Sequence, residues 1–136
     1  MNRKSLTQAA VLAQKGAHLF VTTADPKGYP HVAPAARMKV IPGRGKVELE
    51  AWFCPGTLGN LERNDRVDLV VWAPGINEGY QLLGRNEGVE EIAILDGYDA
   101  SAIENFQIPQ VERRLKIQVE KVLPFRRGAH RDEEED

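Results

Sequence analysis

Pro55, Gly56 and Thr57 carry the clearest chemical signal in this chain. They follow an alternating run, Lys46 to Phe53, and lead into Thr57 to Asn64, which reads as one or two helical turns with Thr57 as candidate N-cap. A helix start presents free backbone N–H groups and the positive end of a dipole. With a hydroxyl beside them, these groups make an anion site. Upstream, Ala33, Ala35 and Ala36 put small side chains in the middle of a strand. Small residues let a flat ligand reach the backbone, so that amides can bond ring edges. A flat apolar surface leading to an anion site suits a nucleotide-like cofactor. Taken alone, the alanines read better as plain barrel packing.

The other reactive side chains give less. His18, His31 and His130 are too far apart in sequence to suggest a metal site, and a single cysteine, Cys54, rules out a Cys-x-x-Cys pair. His31 reads best as a barrel-surface histidine. Cys54 reads best as a small buried filler; a helix end that lowered its pKa would make it reactive. No catalytic residue is assigned.

The elements that must position these residues are mostly strands. His18 to Thr23 is β-branched and apolar, and Asp25 to Gly28 is a turn. His31 to Val40 reads as one long alternating strand. Val32, Pro34, Ala36, Met38 and Val40 fall on one face; His31, Ala33, Ala35, Arg37 and Lys39 fall on the other. In the next strand Val47, Leu49, Ala51 and Phe53 oppose Glu48, Glu50 and Trp52. Arg66 to Ala73 repeats the pattern, with Val67, Leu69 and Val71 on one side. Glu78 to Asn86 is a further strand, and Val89 to Leu95 fits either a strand or a helix. Asp99 to Phe106 reads as a helical turn. Gln110 to Leu123 alternates until Glu120-Lys121, where one extra residue, a bulge, explains the phase shift. Near the N-terminus, Ser5 to Gln8 matches a capping box, and Gly16 can end the helix. The fold class is mainly β (α+β): an antiparallel barrel of about six strands, with an N-terminal helix and one or two short helices.

At these residues the chain resembles a known family. Gly28 to Val32, Gly45 to Phe53, Thr57-x-x-Asn60-Leu61-x-x-Asn64-x-Arg66-Val67, and Gly79 to Arg85 resemble the FMN-binding split β-barrels related to pyridoxamine 5′-phosphate oxidase. The resemblance extends more weakly to Arg114 to Phe125. It implies a split barrel that pairs into a homodimer, with FMN in the cleft between subunits. It implies that Pro34, Ala35, Ala36 and Arg37 line the isoalloxazine, that Ala51, Trp52 and Phe53 lie beneath the ring or its ribityl chain, and that Gly56 and Thr57 hold the phosphate. Many relatives place Lys or Arg just before or at Thr57; here Arg37, Lys39 or Arg63 would have to substitute. The longer pyridoxamine phosphate oxidases carry a substrate-binding C-terminal segment, and this chain ends instead in Arg126 to His130 and an acidic run. The implied activity is flavin-mediated hydride or electron transfer with a small-molecule donor and acceptor, not pyridoxamine phosphate oxidation. A non-enzymatic binder of flavin, haem or deazaflavin stays open, as does a barrel that has become a partner module.

Composition bounds these readings. The length of 136 residues fits one domain, expected over residues 1–125 with a mobile polar tail over 126–136. The net charge is −2, and the tail, with three Arg against five acids, accounts for it, so the body carries no net charge. That excludes an electrostatic footprint for nucleic acid. The longest apolar runs fall far short of a membrane span. A lone cysteine fits a reducing cytoplasm.

Overall fold

The computed structural model describes residues 1–52, 55–94 and 111–134. Helix α1 (Arg3–Gln14) opens the chain. Strands β1 (His18–Ala24), β2 (Pro30–Ala35), β3 (Arg37–Ile41) and β4 (Lys46–Trp52) precede helix α2 (Pro55–Arg63). Strands β5 (Arg66–Ala73), β6 (Glu78–Ile94) and β7 (Val111–Pro124) complete one antiparallel sheet in the order β2-β1-β5-β6-β7-β4-β3.

The two strands at the ends of that order are neighbours in sequence. Only Ala36 separates β2 from β3, and its N–H donates to the Glu50 carbonyl at 2.8 Å. The sheet therefore curls into a barrel whose edges are joined by the chain itself, the split-barrel form. The long strand expected over His31 to Val40 is broken here. Ala33 is buried in β2, whereas Met38 is buried in β3. The inward phase thus shifts by one residue at Ala36, and Val32 is 59% exposed rather than grouped with Met38. A strand that leaves one partner and joins another must bend, and an unpaired residue at the bend exchanges the faces. This break raises the strand count from about six to seven.

Elsewhere the alternation holds. Val47, Leu49 and Ala51 on β4, Val67, Leu69 and Val71 on β5, and Leu115, Ile117 and Val119 on β7 fill the interior. Burying a side chain such as Leu49 or Ile117 contributes about 2 kcal/mol. The bulge sits where the sequence puts it. Leu83 pairs with Lys121 and Gly84 with Val119, leaving Glu120 as the extra residue. Gly84 is required there, because a Cβ would run into the Gln118 carbonyl oxygen. The ambiguous stretch after Asn86 continues β6 as strand to Ile94, paired with β7. The helical turn expected over Asp99 to Phe106 lies outside the described residues.

Both helix starts differ from expectation. Asn2, not Ser5, caps α1: its Oδ1 accepts from the Ser5 N–H at 3.1 Å. Ser5 is buried inside the first turn, and Gln8 accepts from the Tyr80 hydroxyl at 2.8 Å instead of closing a capping box. Asn is as good a cap as Ser, so tertiary burial decides between them. Gly16, with φ +89°, follows the helix as expected. In α2, Pro55 takes the first helical position and Thr57 the third, inside the first turn rather than at the cap. Leu6, Ala9 and Leu12 seat α1 on the barrel.

Candidate functional site

The site is built where the barrel closes. Ala36 bonds Glu50, and Arg37 pairs in register with Glu50, so Pro34 to Arg37 run beside the end of β4 at Ala51 and Trp52. Pro34, Ala36 and Arg37 are exposed and Ala35 is half-buried. Trp52 is 42% exposed, an unusually open position for so large an aromatic. Ala51 is 1% exposed: its side chain belongs to the core, and only its backbone can face a ligand. Phe53 lies outside the described residues. The six described positions from Pro34 to Arg37 and from Ala51 to Trp52 therefore share one region.

Helix α2 brings the remaining two. It packs against β1 and β2. Buried Asn60 donates from Nδ2 to Thr23 Oγ1 on β1 at 3.0 Å, which locks the helix over one mouth of the barrel. Gly56 and Thr57 lie in the first turn, where backbone N–H groups lack helical acceptors. Thr57 is wholly buried, and its Oγ1 has no hydrogen-bond partner among the described residues. A buried hydroxyl without a partner costs about 1–3 kcal/mol, so this one is suited to a group that supplies a bond. Pro34 to Arg37 and α2 are joined through β2, the strand they both adjoin.

Charge is arranged on the outer side of β4. Arg37 Nη2 lies 2.8 Å from Glu50 Oε2 and 2.6 Å from Glu112 Oε1. Arg114 holds Glu50 at 2.9 Å and Glu48 at 3.1 Å. The Arg114 hydrogen bond is the main cause that holds the Glu50 carboxyl below its ordinary range, with Arg37 adding to it. Arg37, one of the cations considered for the anion site, is thus bound to carboxylates. Arg63, another, closes α2 at its far end, with a guanidinium nitrogen beside Gly59. Sequence reasoning passed over a nearer group. His31 Cε1 and Nε2 lie 3.6 and 3.8 Å from where a Cβ of Gly56 would stand. Its spacing carried no signal, because the contact joins residues on two separate elements.

A second feature lies on the outward face of β1, β5 and β6. Phe20, Val70, Trp72 and Leu83 are half-buried there, and Trp72 meets Phe125 edge-on at 5.3 Å. Asp68 accepts from Gln81 Nε2 at 2.8 Å through Oδ2, while its buried Oδ1 has no partner among the described residues. Burial pushes the Asp68 carboxyl up. It lines a groove of about 550 Å³ with Thr22, Arg66, Leu83 and Lys121.

Among the described residues no group of His, Cys, Asp or Glu is placed to hold a metal ion, and no helix is long and apolar enough to cross a membrane.

No protein-family model and no curated protein matches the sequence. Solved structures do match the fold. HupZ from Group A Streptococcus aligns with a TM-score of 0.63 at 19% identity, covering 92% of this chain and 97% of that one. An FMN-binding protein from Syntrophomonas wolfei aligns at 0.62 and 19% identity, covering 96% and 91%. A pyridoxamine 5′-phosphate oxidase-related, FMN-binding protein from Nostoc punctiforme aligns at 0.64 and 10% identity, covering 93% and 85%. At such identities the likeness is one of fold, and it spans nearly the whole of each chain: this chain has the split-barrel fold of FMN-binding proteins related to pyridoxamine 5′-phosphate oxidase.

Proposed function

We propose that this protein is an FMN-binding flavoprotein, redox-active as a homodimer that holds flavin between its subunits in a reducing cytoplasm. The observation that carries the reading is the unpartnered, buried Thr57 hydroxyl in the first turn of α2, set beyond an exposed small-residue crossover at Pro34 to Arg37. These residues fit the group. Gly56 and Thr57 would bind its phosphate with backbone N–H groups and the hydroxyl. The backbone of Ala35 and Ala36 would bond the ring edge, and Trp52 would cover apolar surface. Arg37, fixed by Glu50 and Glu112, would stand at the rim of the ring site. The bound flavin supplies hydride or electron transfer, and the protein's part is binding, orientation and exclusion of water. Such chemistry needs no side-chain acid or base. Small-molecule electron donors and acceptors are the expected partners.

The dimer part of this reading has support in the outward face of β1, β5 and β6. Phe20, Val70, Trp72 and Leu83 form an apolar strip, which a second copy of the chain would cover.

The visible absorption spectrum tests the cofactor. Purified protein is measured before and after incubation with excess FMN and desalting. Flavin bands that survive desalting are expected, followed by bleaching with NADH or NADPH. A flat spectrum in both samples overturns the flavin reading. A Soret band in place of flavin bands moves the assignment to haem.

A further inference from the structure

We propose that His31 is the phosphate-binding residue that stands in for the lysine or arginine this chain lacks beside Thr57. The inference rests on the flavin reading above and assigns one residue within it. His31 pairs across the sheet with Thr23. Thr23 is buried beneath α2 and bonded to Asn60, so His31 lies on the strand face that the helix covers. Its imidazole edge lies within 3.6–3.8 Å of where a Cβ of Gly56 would stand, in contact with the first turn of the helix. The Gly56 and Thr57 N–H groups belong to that first turn, and the buried Thr57 hydroxyl has no partner among the described residues.

The other cations considered do not reach this point. Arg37 is bound to Glu50 and Glu112. Arg63 closes α2, and its guanidinium lies beside Gly59, about one turn beyond Gly56. Lys39 stands farther along β3, opposite Glu48. An imidazole N–H donates to a phosphate oxygen, and an imidazolium donates from both nitrogens. Such a bond is of the charge-assisted kind that favours a dianion over a neutral hydroxymethyl group. His31 therefore selects the phosphorylated flavin over riboflavin.

The test is the dissociation constant for FMN and for riboflavin, read by quenching of flavin fluorescence, on the full chain and on His31→Ala and His31→Lys. His31→Ala is expected to weaken FMN about tenfold while riboflavin changes by less than about twofold. His31→Lys is expected to keep FMN binding near the parent value. FMN affinity unchanged in His31→Ala, or FMN and riboflavin weakened alike, overturns the assignment and leaves the flavin reading intact. A parent chain that binds neither ligand overturns the flavin reading and this assignment with it.

Discussion

Asn60 Nδ2 donates to Thr23 Oγ1 at 3.0 Å, a buried bond between residues 37 positions apart, and it fixes where α2 sits on the barrel. Everything proposed for the anion site depends on that seat, because it sets Gly56 against His31. Thr23→Val leaves the Asn60 amide buried without its acceptor, so a loss of about 1–3 kcal/mol is expected. Asn60→Leu should cost a similar amount. The double variant should lose less than the sum of the two, because no orphaned group remains. Urea denaturation of the four proteins measures this, and strict additivity would show that the bond does not couple the two elements.

Glu50 and Asp68 should pull the pH dependence of stability in opposite directions. The folded pKa of Glu50 is lowered from its ordinary 4.5, chiefly by Arg114. Its contribution is therefore complete above that value and is lost as pH falls through the folded pKa. The folded pKa of Asp68 is raised from 3.8 by burial. Its charged form penalises folding above the raised value, and the penalty is relieved as pH falls. Glu50→Gln should flatten the acid limb of a stability-against-pH curve. Asp68→Asn should raise stability at neutral pH. A destabilised Asp68→Asn chain at neutral pH would mean that the carboxylate has a partner in solution.

Gly84 allows β6 and β7 to approach at the bulge. A Cβ there meets the Gln118 carbonyl oxygen and lies 3.1 Å from Ile117 Cγ2. Gly84→Ala must displace backbone rather than a flexible side-chain tip. The expected cost is about 1–3 kcal/mol, or several degrees of Tm, read by thermal unfolding. Gly88→Ala is the control, since no atom stands within 4 Å of its added Cβ. Equal effects at both positions would refute the steric account.

Val70 is central to the outward apolar strip, registered between Phe20 and Gln81. Val70→Glu should convert a dimer to a monomer by sedimentation velocity and lower FMN retention in the same sample. A parent chain that is monomeric yet retains FMN would refute the subunit-cleft arrangement and leave flavin binding itself in place.

The sequence by itself determined the strands whose two faces see different solvents. Val47-Leu49-Ala51, Val67-Leu69-Val71 and Leu115-Ile117-Val119 alternate because the pleat turns successive side chains to opposite faces, a property of each residue and its immediate neighbours. The bulge at Glu120 was legible for the same reason, as a slip in that rhythm. Ser5 misled because two good caps stand three residues apart, and burial chose Asn2. The phase change at Ala36 was hidden because its cause is a change of partner, from β1 to β4, which no local pattern records. The contact of His31 with Gly56 and the bond of Asn60 with Thr23 belong to the same class. Closing a barrel brings together residues that are distant in the chain, and only tertiary packing decides which side chain faces the helix end.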